Sequence, residues 1–294
     1  MISPLLSIVI ANYNYGRFIE DAIMSVLSEC VIDTDDKGFP LLRIRGTDAM
    51  LELIVCDGGS TDESVEIIKR HGDKISWWCS EKDKGQSDAF NKGFAHAKGK
   101  YLTWLNADDV LMPGALRRLV AAISRNPQTE WFVGGCVWLD ADLKVMRCTR
   151  ARRFSKTSAK CGCLVVYSPS SIFSKSLLDR VGGVDVNLHY QMDAELWHRF
   201  FFEGRSEYKL VSGYLFGLRI HPDAKMSCNQ FEGPKAEANR MKRKAEDDRV
   251  HARYPRRRIP LIMKILEYGF FKKLKSFLDT MRYNGCDYKK VEAC

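Results

Sequence analysis

Apolar residues in this chain fall into short blocks whose period changes from one block to the next. Residues 5–12 (LLSIVIAN) form an unbroken apolar run rich in β-branched side chains, the pattern of a strand buried on both faces. Residues 18–29 (FIEDAIMSVLSE) place Ile19, Ile23, Val26 and Leu27 at helical spacing. The alternation then repeats. Residues 51–57 (LELIVCD) predict a strand and 64–72 a helix, with Ser60, Thr61 and Asp62 as candidate N-caps. Residues 75–81 predict a third strand, 87–99 a helix closed by Gly99, and 100–109 a fourth strand ending in polar residues. Residues 31–50 interrupt the pattern as a polar insert, a loop or a hairpin. Strand–helix alternation of this kind predicts an α/β fold with a doubly wound, mostly parallel sheet.

Beyond about residue 130 the pattern becomes mixed, and after Pro234 it turns helical and basic. Ile262, Leu266, Phe270, Leu274, Phe277 and Met281 share one helical face, while Lys264, Lys272, Lys275 and Arg282 fall largely elsewhere. Charge sharpens this division. The net charge is +9, and residues from Lys235 onward carry 17 basic against 8 acidic side chains, so the rest of the chain is balanced. We therefore expect a body, residues 1–230, and a basic, amphipathic helical C-terminal extension, residues 231–294.

Composition narrows the class. With 294 residues, 45% hydrophobic and 28% charged, the chain suits a globular protein rather than a disordered or fibrous one. No stretch approaches the roughly 18 apolar residues of a membrane span. The N-terminus reads as a first strand, not a signal peptide. Ten scattered cysteines without a CxxC pair read as small hydrophobes in a reducing, cytoplasmic setting.

In an open parallel sheet, ligands bind beyond the carboxyl ends of the strands. Here those ends carry Asn12 and Asn14, then Asp57, then Glu81 and Asp83, then Asn106, Asp108 and Asp109. Carboxylates converging on one rim repel one another unless a cation sits among them, and an all-oxygen set favours Mg²⁺ or Mn²⁺. Neither GxGxxG after the first strand nor GxxxxGK[ST] is present, which argues against a dinucleotide-dependent dehydrogenase and a P-loop NTPase.

Five runs in order, SIVIANYNYGRFIEDAIMSV, LELIVCDGGSTDES, EKDKGQSDAFNKGFAHAKGKYLTWLNADD, RVGGVD and MDAELWHRF, resemble a family 2 glycosyltransferase of GT-A fold over residues 5–225. The resemblance implies that Ala11, Asn12, Tyr13 and Asp57 hold the nucleoside. It implies that Lys84, Gln86, Asp88 and Asn91 line the sugar-nucleotide pocket. The family's metal-binding DxD corresponds to Asn106-Ala107-Asp108, with Asn106 where an acid is common. Asp108 is thus the main metal ligand and His221 a second. Asp193 takes the position of the catalytic base, although Met192 stands where a Glu usually precedes it. Asp109, Tyr190, Gln191 and Trp197 are candidates for the acceptor side.

The implied activity is metal-assisted, inverting sugar transfer from a nucleotide-sugar, with a lean to UDP, onto a carbohydrate or lipid-linked acceptor in polysaccharide or glycolipid synthesis. Two alternatives are a metal-dependent sugar nucleotidyltransferase and a catalytically silent carbohydrate-binding relative. The first would need a glycine- and lysine-rich opening loop, unlike ANYNYGRF; the second would have lost Asp108 or Asp193. The basic tail has two readings. It is either a helix lying on an anionic membrane surface, which would make the protein peripheral at the cytoplasmic face, or a helix packed on the body with a solvated basic side. No nucleic-acid-binding motif accompanies Arg256-Arg257-Arg258, so no nucleic-acid partner is expected.

Overall fold

A computed structural model of the chain describes residues 3–34, 38, 40–154, 159, 166–225, 234–254 and 270–291. Three predicted strands form the centre of one sheet. β1 (Leu6–Asn12) lies between β4 (Met50–Asp57) and β6 (Tyr101–Asn106), parallel to both, with Ile8 opposite Leu53 on one side and Thr103 on the other. β5 (Trp77–Ser80) adds in parallel to the far half of β4. The near half of β4 pairs with the antiparallel hairpin β2 (Cys30–Thr34) and β3 (Pro40–Ile44), so the polar insert is a hairpin.

Beyond β6, β10 (Ser171–Ser174) runs antiparallel and hands over to β8 (Trp131–Leu139), which pairs in parallel with β11 (Tyr208–Arg219). β7 (Val110–Leu111) closes that edge, and β9 (Val145–Thr149) takes the far half of β8.

Helices cover both faces, as unbroken apolar strands require. On one side Ile8 and Ile10 of β1 pack with α1 (Gly16–Leu27), α2 (Ser64–Arg70) and α4 (Ala115–Arg125). On the other, Val9 and Ala11 pack with α3 (Gln86–His96), α5 (Lys175–Val181) and α6 (Met192–Phe202). The second core is aromatic: Trp197 stacks on Trp104 and Trp131 at 5.4 and 5.8 Å.

Two local expectations change. α3 ends at His96 and Ala97 turns extended, so Gly99 is not its cap. Gly99 instead lies where a β-carbon would stand 2.4 Å from the Ser7 hydroxyl, and its N–H donates to that oxygen and to Glu52. No side chain caps α2; Asp62 accepts from the N–H groups of both Ser64 and Gly16, tying the starts of α1 and α2 together.

The tail contributes α7 (Pro234–Arg253) and α8 (Phe270–Tyr283). Arg256–Arg258, Ile262, Lys264 and Leu266, and the side chains of Phe270 and Lys272, lie outside the described residues. α7 packs beside α6, and α8 runs along β9. Among the described residues no helix is long and apolar enough to cross a membrane.

Candidate active site

A cleft of about 660 Å³ opens at the carboxyl ends of β1, β4, β6 and β11, a volume suited to a small-molecule ligand. Its floor is stapled together by side chains from the first two loops. Asn14 adopts a left-handed backbone (φ 53°), which Asn tolerates better than most residues, and its Oδ1 accepts from the Thr61 N–H. Asn12 donates to Asp57 at 2.7 Å and to Ser60 at 3.2 Å.

Asp57 is the hub beneath this floor. Besides Asn12, it accepts from the N–H groups of Gly59 and Ser60 and from the hydroxyls of Ser60 and Ser80. Burial alone would raise its pKa, but the hydrogen bonds from Ser60, Ser80 and Asn12 prevail and hold it below the usual range. Asp57 therefore shapes the loop from below and does not line the cleft.

The end of β6 carries a polar relay. Lys225 Nζ donates to Gln86 at 2.8 Å, Gln86 donates to Asn106 Oδ1 at 2.6 Å, and Asn106 Nδ2 donates to Asp109 at 2.7 Å. The second Asp109 oxygen accepts from the Arg219 N–H. Burial and the neighbouring Asp108 push the Asp109 carboxyl well above the ordinary range. An Asp at 106 would set a third carboxylate beside these two and remove the donor to Asp109, which accounts physically for the amide at this position.

Asp108 faces the cleft, with His221 Nε2 at 3.1 Å from its Oδ2. Tyr15 and Phe18 pack around the imidazole. The two are in ion-pair contact, and they are the residues that would hold a divalent cation here, Asp108 from the cleft side. Among the described residues no group of three or more His, Cys, Asp or Glu could hold a metal. Such an ion would therefore draw its other ligands from phosphate oxygens and water, as Mg²⁺ and Mn²⁺ readily do.

Asp193 opens α6 on the opposite wall, beside Ser168, Tyr190 and Arg243. Burial raises its carboxyl pKa, against lowering by the Ala194 N–H and the Ser168 hydroxyl. Glu246 of α7 holds the approach to this helix. Its carboxylate accepts from the N–H groups of His189 (2.9 Å), Tyr190 (2.7 Å) and Gln191 (3.0 Å). Lys225 sits across the cleft with Asp108, Asp193 and Asp83 in electrostatic range, and burial pushes its ammonium down to about 8.

The cleft brings together Ala11, Asn12, Tyr13, Gln86, Asn106, Ala107, Asp108, Asp109, Tyr190 and Asp193 from the sequence-derived set. The others sit elsewhere. Lys84 is exposed, with its backbone N–H on Asp88. Asn91 clamps both polar atoms of the Val184 backbone, His221 lies buried behind Asp108, Gln191 supplies backbone to Glu246, and Trp197 is buried in the aromatic core. Lys225, Arg243 and Glu246 were not anticipated. Lys225 lies four residues after His221, whereas Arg243 and Glu246 belong to the basic extension, expected either on an anionic membrane surface or packed on the body with a solvated basic side.

Comparison with known proteins gives the family and the fold. The family model described as glycosyl transferase family 2 matches residues 7–132. An uncharacterized glycosyltransferase of Rickettsia prowazekii is 28% identical over 206 residues, which cover 68% of this chain and 59% of that protein. One of Mycobacterium tuberculosis is 30% identical over 196 residues, covering 66% and 67%. The chain thus spans under two thirds of the length of the Rickettsia relative.

Among solved structures, Staphylococcus aureus TarS 1–349 with UDP-GlcNAc superposes with a TM-score of 0.54 at 14% identity, covering 76% of this chain and 60% of that one. Mannosyltransferase PcManGT from Pyrobaculum calidifontis, with GDP-Man and Mn²⁺, gives 0.52 at 15%, covering 95% and 84%. These identities speak to the fold alone, a GT-A-like α/β architecture. The sequence relatives speak to descent, and by them the chain belongs to glycosyltransferase family 2.

Proposed function

We propose that this glycosyltransferase moves a sugar, with inversion, from a nucleotide-sugar, a UDP-sugar in our reading, to a hydroxyl of a carbohydrate or lipid-linked acceptor. The observation that carries this reading is the convergence of Asn12, Asn106 and Asp108 from the sheet and Asp193 from α6 on one cleft. The nucleoside lies over Ala11, Asn12 and Tyr13, on a floor kept in shape by Asp57. Lys225 meets the diphosphate, where its cation offsets negative charge in a partly dry site. Mg²⁺ or Mn²⁺ at Asp108 and His221 would offset the charge that the leaving nucleoside diphosphate gains. Asp193 takes the proton of the acceptor hydroxyl as the new bond to the anomeric carbon forms, and displacement from the opposite side inverts that centre. Tyr190, Ser168 and Arg243 border the acceptor. The complexes of TarS with UDP-GlcNAc and of PcManGT with GDP-Man and Mn²⁺ support the donor class and the metal.

The experiment is nucleoside diphosphate release (UDP or GDP) from a panel of UDP- and GDP-sugars with and without Mn²⁺. Asp108→Ala should remove the metal dependence of donor binding. Asp193→Asn should keep donor affinity and lower turnover by roughly 10²–10⁴-fold. Pyrophosphate release from a nucleoside triphosphate, or full turnover by Asp193→Asn, overturns the assignment.

A further inference from the structure

α8 meets the body with its polar side. Asp279 receives Arg150 at 2.6 Å and the Tyr214 hydroxyl. The Ser276 and Thr280 hydroxyls accept the N–H groups of Arg150 and Cys148, at 3.1 and 2.9 Å, along the otherwise open side of β9. Such main-chain groups at a sheet edge need a partner, and this helix supplies it with hydroxyls.

The consequence is a helix turned inside out. Leu274, Phe277, Leu278 and Met281 stand three and four residues apart on one stripe and are 43, 59, 54 and 66% exposed. An amphipathic helix packed for stability buries that stripe; α8 packs on the body through Ser276, Asp279, Thr280 and Tyr283 instead.

Among the described residues, basic side chains outnumber acidic ones around the stripe. Lys273, Lys275 and Arg282 lie on the helix, and Lys289 and Lys290 follow in a short 3₁₀ turn. The nearby acids are occupied: Asp279 faces inward against Arg150, and Asp287 accepts from the Lys289 N–H and pairs with Lys144. Four side chains on one helix make a small patch beside the 1,000 Å² or so that a stable protein interface requires. An apolar stripe in a cationic frame matches the boundary between anionic headgroups and acyl chains.

We propose that the outer face of α8 docks on an anionic phospholipid surface. This inference is independent of the donor and base assignments.

The test uses the full chain and vesicles of phosphatidylcholine, alone or with about one-third phosphatidylglycerol, in a sedimentation assay. The variant Leu274→Ser/Phe277→Ser/Met281→Ser alters only exposed side chains, so its melting temperature and vesicle-free diphosphate release should match the wild type. Wild type should bind the anionic vesicles, and both the variant and neutral vesicles should show binding weaker by about tenfold or more. Equal binding by the variant, or no binding by wild type, overturns the proposal. So does a wild-type dimer in light scattering that the variant loses, without vesicle binding, since the stripe then joins two copies.

Discussion

Removing the Glu246 carboxylate should loosen the turn that delivers Asp193 to the cleft. In Glu246→Ala, the N–H groups of His189, Tyr190 and Gln191 lose their common acceptor at 2.7–3.0 Å. A hydrogen bond to a charged group contributes about 1.5–3 kcal/mol. Three such bonds come to about 4.5 kcal/mol at the low end, and because water replaces part of them in the variant we expect a loss of about 2–4 kcal/mol. For a chain of this size that corresponds to a melting temperature lower by about 4–8 °C. Turnover should fall as well, because a displacement of about 1 Å at a reacting group costs on the order of 10²-fold. Donor KM should change less than turnover, since the nucleoside floor is built from β1 and the loop after β4, although Lys225, which touches His189 at 3.4 Å, links this turn to the donor side. Differential scanning calorimetry and diphosphate release at varied donor concentration measure both effects. A variant with unchanged melting temperature and unchanged turnover refutes the positioning argument. A variant that loses only donor affinity places Glu246 on the wrong side of the chemistry.

Burial raises the Asp193 carboxyl, and a base acts only when deprotonated, so turnover should fall as pH drops through a value above the ordinary carboxylate pKa of about 4. The pH profile of kcat should lose that acid limb in Asp193→Asn. The same shift means that the folded chain holds this proton more tightly than the unfolded chain, so the Asp193 contribution opposes folding above its folded pKa and fades below it. Gly93→Ala on α3 would drive a β-carbon to 2.3 Å from Val9 and 3.1 Å from Cys56, and should destabilise by about 1–3 kcal/mol or more, read as a lower denaturation midpoint.

Much of the sheet was legible because its strands are buried on both faces. Residues 5–12, 51–57 and 100–109 are strand signals of short range, and the polar residues at their ends mark the cleft. The motifs placed Asn12, Asn106, Asp108 and Asp193 together without any structure. What the sequence hid is what depends on distant pairing. Asp57 has the same motif position whether it points up at a ligand or down into five hydrogen bonds. Trp197 has the same spacing from Asp193 whether it edges an acceptor or stacks on Trp104. Glu246 is one charge among many on the basic extension, and nothing local reveals that it faces three N–H groups more than fifty residues upstream. α8 shows the same limit: periodicity found its apolar stripe but could not say that the polar side would be drawn inward by the edge of β9.

That edge has a practical consequence. Cutting the chain before residue 270 would strip away more than a lipid anchor. It would remove the hydroxyls that accept from the Cys148 and Arg150 amides and the Asp279 carboxylate that pairs with Arg150, and so uncover the edge of β9 to another strand. Shortened forms of this protein should clump by edge-to-edge addition, and their failure to reach vesicles would then be a symptom of aggregation. Serine substitutions on the outer stripe keep the strand sheathed and separate the two effects.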